Sequence, residues 1–186
     1  MLNNISEKFY KWANGWVVLL FFVLDMFFAG FVMPLIGGLM KNGTGLEQPL
    51  DLMIFATPDK IFNMIETYGD STRMFYRNVE LTADIVYPII YTLAFGLLIS
   101  WLFKRGFDSN SSMRKYNVAP VFAFVFDMFE NLNIVTLLTM HPAQPTMLGW
   151  TLFIFTTVKW LFAGVSIILI LVGLVMALKN KFKVQE

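Results

Sequence analysis

Residues 124–133 read FVFDMFENLN. They lie inside an apolar run from Val118 to Met140, and about 20 apolar residues in a helix are enough to cross a bilayer. On a helix Asp127, Glu130 and Asn131 fall at i, i+3 and i+4 and share one face. Two carboxyls and an amide at mid-membrane are costly to keep in hydrocarbon. Such groups mark either a functional centre or a network that fixes how helices pair.

The composition around this stretch agrees with a membrane setting. The chain is 57% hydrophobic and 15% charged, against about 25% charged in an ordinary soluble domain. Its 20 Phe and 12 Met suit a lipid-facing surface. A net charge of +1 gives no electrostatic case for nucleic acid. The absence of Cys excludes disulfides and thiol chemistry, and the single His141 excludes a His-rich metal site within one chain. No Walker A, G-x-S-x-G or H-E-x-x-H motif is present. We expect no metal and no cofactor. The predicted fold is all-α: a polytopic membrane protein built as an antiparallel four-transmembrane-helix bundle, with an extra outer amphipathic helix and one membrane domain over 1–186.

Taken in order, residues 1–15 place Ile5, Phe9, Trp12 and Trp16 at helical spacing, which predicts a short interfacial helix. Span 1 covers 16–40, with Asp25 near its middle, Pro34 expected to kink it and Gly37-Gly38 expected to loosen its end. The segment 41–82 is the most polar. Gly43, Gly45 and Pro49 predict a loop, and Asn42-Gly43-Thr44 is an N-glycosylation pattern that carries meaning only in a eukaryotic secretory setting. Thr57-Pro58-Asp59 predicts a helix start capped by Thr57, followed by an amphipathic helix over 58–68 with Ile61, Phe62, Ile65 and Tyr68 on its apolar face. Asp70-Ser71 predicts a second helix running on into span 2, 83–103. Residues 104–117 read as a short flexible loop, 118–140 as span 3, 141–147 as a turn, 148–178 as span 4 and 179–186 as a basic tail. Lys and Arg concentrate before span 1, in 104–117 and in the tail. That bias predicts cytoplasmic termini in the plasma (inner) membrane of a prokaryote, with 41–82 and the HPAQP turn outside.

At their expected depths Asp25, Asp127, Glu130 and Lys159 all fall near mid-membrane, with Asp84 and Glu80 higher. Lys159 is the one cation available to the acids and is expected to pair with Asp127, Glu130 or both. Surplus acids are then neutral, or are balanced by a bound cation or cationic ligand. Asp84, Tyr87 and Tyr91 share a face of span 2 with Pro88, and Thr156, Lys159, Ala163 and Ser166 form an inward stripe on span 4. The ligand-pocket candidates are therefore Asp25, Asp84, Tyr87, Tyr91, Asp127, Glu130, Asn131 and Lys159. Glu80, Arg73 and Arg77 are candidates at the outer rim, where either arginine could reach Glu80 or Asp84. His141 reads as a surface turn residue.

Two resemblances bear on function. The run ELTADIVYPIIYTLAFGLLISWLFKR (80–105), with FDMFENLNIV and HPAQP, resembles a group of uncharacterised prokaryotic four-helix membrane proteins over 60–175, which implies no activity. An acid followed by proline in span 1 (Asp25, Pro34) and again in span 2 (Glu80 or Asp84, Pro88) is similar to the EXPERA group of sterol isomerases and the sigma-2 receptor. That resemblance implies that Asp25 and Glu80 or Asp84 face a lipid-like or cationic-amine ligand. Lys159 and the Asp127–Glu130 pair depart from the pattern. The expected function is binding of a small lipid-like molecule from the bilayer, with turnover of that molecule as its extension. A proton- or ion-coupled transporter and a non-catalytic membrane subunit or assembly factor are the alternatives.

Overall fold

The computed structural model describes residues 2–41 and 48–183. The Gly43, Gly45 and Asn42-Gly43-Thr44 readings lie outside the described residues. The chain is all-α, with no strand among the described residues, and four helical stretches are long and apolar enough to cross a membrane: Gly15–Leu39, Asp70–Gly106, Ser112–Met140 and Thr146–Phe182. The helices, in order, are α1 (Leu2–Trp12), α2 (Gly15–Phe27), α3 (Met33–Leu39), α4 (Pro58–Thr67), α5 (Asp70–Glu80), α6 (Ala83–Gly106), α7 (Ala119–Met140) and α8 (Thr146–Lys183). Only 11% and 17% of the most apolar windows of the first and last spans are buried, against 44% for the two between them. The Leu, Phe and Val side chains exposed on α2 and α8 therefore present a surface suited to acyl chains.

Pro34 acts just where its chemistry requires. It has no N–H to give, and the helix accommodates this with a π turn over Phe28–Val32, in which the Met33 N–H reaches the Phe28 carbonyl. The helix ends at Leu39, after Gly37-Gly38.

Two compact units share the chain, and α6, α7 and α8 each contribute residues to both. The first unit holds Met1–Asp25, Ile89–Ala123 and Leu161–Glu186. In it α1 is more tightly built in than an interfacial helix needs to be. Phe9 is buried with Ala13, Val18 and Leu97, and Trp12 and Trp16 stay exposed. A polar ladder reinforces this packing. The Ser6 hydroxyl donates to Asn117 Oδ1 (2.7 Å), Asn117 Nδ2 donates to Ser100 Oγ (2.9 Å), and Ser100 donates to the Gly96 carbonyl (2.7 Å). Tyr10 donates to the Arg114 carbonyl at 2.8 Å. Its hydroxyl pKa is pushed up to about 12 by burial, with the Arg114 guanidinium pulling the other way. These bonds explain why 104–117 is not the flexible loop its Ser, Asn and Gly content predicts. α6 continues to Gly106, and Ser112–Val118 winds into a 3₁₀ helix whose start is capped by Ser111.

The second unit holds Met26–Pro88 and Phe124–Trp160. Its apolar core joins Ile61, Phe62 and Ile65 of α4 and the adjoining Tyr68 to Met40, Leu50, Tyr76, Ile134, Leu137 and Leu152. The predicted stripe of α4 is thus its buried face. Thr57 occupies the N-cap position in extended conformation, but its side chain makes no cap bond. The start is set instead by Pro58 and by the Ile61 N–H bonding the Thr57 carbonyl. As expected, the helix that starts at Asp70 runs on into the second span, with only a two-residue turn at Leu81–Thr82 between α5 and α6.

The start of α8 is packed so closely on α4 that a Cβ built on Gly149 would lie 2.7 Å from Pro58 Cβ and 3.1 Å from its Cα. Pro58 is a rigid ring and cannot yield. Gly149→Ala should therefore destabilise the protein by about 1–3 kcal/mol. Gly164→Ala, which meets nothing within 4 Å, should be neutral or stabilise by up to about 1 kcal/mol through helix propensity. Thermal unfolding of both variants in detergent checks the contrast.

Candidate functional site

The acids predicted for the centre converge in the second unit. Along α7, Asp127, Glu130 and Asn131 lie on the face that the i, i+3, i+4 spacing predicts, and all three are buried. Lys159 of α8 answers them. Its ammonium is 3.5 Å from Asp127 Oδ1 and forms a closer ion pair with Glu130 Oε2. Glu130 is fully buried, and its other oxygen accepts a 2.5 Å hydrogen bond from Thr156, one turn before Lys159 on α8. A charge-assisted bond from a hydroxyl is the kind of contact that keeps a buried carboxylate oriented.

Asp84, at the start of α6, is 5% exposed, and its backbone carbonyl accepts a 2.6 Å bond from Asn131 Nδ2. Glu80, at the end of α5, is 1% exposed. It lies within electrostatic reach of Asp84, Asp51, Glu130 and Lys159. Glu80 therefore does not stand at the rim, where the sequence places it. Its side chain lies on the buried face of α5 that also carries Thr72, Tyr76 and Val79. Arg73 does not reach Glu80 or Asp84 either. Its guanidinium is held by Asp70 and by the Tyr68 carbonyl, because the start of α5 presents those acceptors first. Arg77 is half-buried, and its guanidinium forms no hydrogen bond or ion pair among the described residues.

Four buried carboxyl side chains, Glu80, Asp84, Asp127 and Glu130, thus share the second unit with one buried amine, Lys159. Besides Glu130 Oε2, which faces Lys159, the buried atoms of that unit with no hydrogen-bond partner include Glu80 Oε2, Asn131 Oδ1, Asn133 Oδ1, His141 Nε2 and Thr157 Oγ1. Each such atom costs on the order of 1–3 kcal/mol relative to a satisfied one.

The remaining candidates divide between the units. Tyr87 belongs to the second, where its ring stacks on Phe28 with centroids 5.9 Å apart and planes at 4°. Asp25 and Tyr91 belong to the first. Asp25 is 2% exposed and its Oδ1 has no hydrogen-bond partner. Tyr91 faces the Phe95 ring at 6.5 Å. His141 is the turn residue expected of it, paired with Glu66 at 3.3 Å.

Sequence reasoning missed three members of the second unit, Asp51, Tyr76 and Trp160. The Tyr76 hydroxyl donates to Asp51 Oδ1 at 3.0 Å and accepts from the Leu50 N–H at 2.8 Å. Trp160 Nε1 donates to the Asp51 carbonyl at 2.9 Å. Residues 48–53 are thereby fastened to α5 and α8. The i, i+4 pair of Tyr76 and Glu80 was a usable signal. Asp51, in a short 3₁₀ turn, offered none.

Among the described residues no group of three or more His, Cys, Asp or Glu side chains is arranged to hold a metal ion. No protein-family model, curated protein or solved structure matches the chain.

The ion-pair geometry sets the cost of disrupting it. Lys159→Met and Glu130→Gln should each destabilise by about 3–5 kcal/mol, since each leaves a buried group uncompensated, and the double variant should lose well under the sum. A double-mutant cycle of detergent melts measures the difference. Additive losses would show that the pair is not coupled.

Proposed function

We propose that the buried cluster of the second unit receives the polar head of a small lipid-like or amphipathic molecule, one that carries hydrogen-bond donors or positive charge. The observation behind this reading is the imbalance at the cluster: four carboxyls against one amine, with orphaned acceptors on Glu80, Asn131 and Asn133. A guest bearing an ammonium or several hydroxyls supplies what that surrounding lacks, and aromatic faces such as Tyr87 and Phe28 suit an apolar or cationic body. The likeness to the EXPERA pattern points the same way, with Glu80 or Asp84 as the head-binding acid. Lys159, paired to two carboxylates, acts in this reading as a fixed positive charge that orients Asp127 and Glu130. Should the guest be transformed, a protonated carboxyl is the natural acid. Lipid extracts of the purified protein, analysed by mass spectrometry, should contain one species enriched over bulk lipid, and Glu80→Gln should reduce it by about tenfold, the worth of one charge-assisted hydrogen bond. Extracts without any enriched species overturn the reading.

A second reading, a proton- or ion-coupled carrier, is favoured by the Asp51–Tyr76 bond. Asp51 is only partly buried, and Tyr76 and Glu80 stand on successive turns of α5. That order of groups suits proton passage from residues 48–53 to the acids. Reconstituted vesicles loaded with a pH-sensitive dye should then show proton flux that falls at least about tenfold in Tyr76→Phe, which retains the ring but has no exchangeable proton.

For topology, we place both termini on the cytoplasmic side of a prokaryotic inner membrane, following the Lys and Arg bias. The chain has no Cys, so single-cysteine variants report cleanly. With a membrane-impermeant maleimide on intact cells, Gln144→Cys should label and Asn110→Cys should not. The reverse pattern inverts the topology.

A further inference from the structure

A second site lies in the second unit, apart from the buried cluster. A cleft of about 260 Å³ is lined by Asp70, Arg73, Met74 and Arg77 of α5, by Leu138 near the end of α7, and by His141 just beyond it. We propose that this cleft binds a phosphate-type anion, in the first place the headgroup phosphate of an anionic membrane lipid.

Three observations carry the assignment. The first is charge that is left over. Asp70 is already engaged by Arg73, and Glu66 accepts from Gln144 and lies 3.3 Å from His141 Nε2. Arg77 lines the same cleft, half-buried, and its guanidinium has neither a hydrogen bond nor an ion pair among the described residues. An unpaired guanidinium partly withdrawn from water presents a planar fork of donors that matches two phosphate oxygens. The second is preorganisation. Arg73 is held by the Tyr68 carbonyl and by Asp70, so one wall of the cleft keeps its position without a ligand. The third is depth. α7 ends at Met140, where its apolar run gives way to His141-Pro142. The cleft therefore sits where a span meets the interface, the level at which lipid phosphates lie. Met74, 57% exposed beside the arginines, offers an apolar contact to the start of an acyl chain.

The test is native mass spectrometry of the full chain in detergent, titrated in separate arms with phosphatidylglycerol, phosphatidylcholine and inorganic phosphate. Phosphatidylglycerol should bind at least about tenfold tighter than phosphatidylcholine, and Arg77→Gln should remove that preference. Glu80→Gln, in the buried cluster, should leave it intact, which separates this site from the ligand proposed above. The Arg77 guanidinium makes no hydrogen bond or ion pair among the described residues, so the variant should melt with the wild type. If it does not, Arg77→Lys serves in its place and should weaken binding while keeping the charge. Equal occupancy by inorganic phosphate and by phosphatidylglycerol supports the anion site and assigns it to free phosphate. No preference of the wild type for either anion over phosphatidylcholine overturns the proposal, as does a preference that Arg77→Gln leaves unchanged in a folded variant.

Discussion

The ammonium of Lys159, set against the carboxylates of Asp127 and Glu130, is the constraint on which the second unit depends. Charges buried in a low-dielectric interior are expensive unless each finds a partner, and this pair meets that condition in a way that also fixes geometry. Because Lys159 and Thr156 lie on one face of α8, and Asp127 and Glu130 on one face of α7, the two helices have one register in which all four groups meet. Sliding either helix by a residue would strand at least one charge. The pair is therefore a device for specificity as much as for stability, and the same two helices, α7 and α8, also supply Ile134, Leu137 and Leu152 to the unit's apolar core.

Glu80 and Asp84 are harder to explain by stability alone. Neither has a cation of its own, and a unit designed only to fold would replace them with apolar side chains at no loss. Buried polar groups without partners are where natural proteins depart from the rules of good packing, and such departures gather at functional sites. The amide oxygens of Asn131 and Asn133 add to the same imbalance. This excess of acceptors sets Glu80, Asn131 and Asn133 apart from the paired Lys159 and Glu130 beside them.

Much of this was legible in the chain. The four spans follow from apolar runs whose length only a bilayer explains, and the face shared by Asp127, Glu130 and Asn131 follows from helical period. Lys159 was legible as the partner of those acids because it is the one basic residue inside an apolar run. What failed to show was whatever depends on tertiary contact. Glu80 looked peripheral because it precedes the apolar run of span 2, and its burial comes from neighbours distant in sequence. Residues 104–117 looked loose because their Ser and Asn side chains have turn-forming chemistry. Asn117 in fact bonds to Ser6 and Ser100, far away in sequence. Asp51 could not be foreseen, since its partners Tyr76 and Trp160 stand 25 and 109 residues away.

The π turn at Phe28–Val32 has a consequence for the helix beyond it. An α-helix advances each residue by about 100° around its axis, and a π turn accommodates one extra residue per turn. The faces of Pro34–Leu39 are consequently out of phase with an unbroken α-helical wheel drawn from Gly15. Removing a single residue from 28–32 would restore the regular period and rotate Leu35, Ile36 and Leu39 by roughly that angle. Length in this segment thus encodes direction: the insertion aims side chains, and a deletion that spares every named contact would still turn them toward the wrong neighbours.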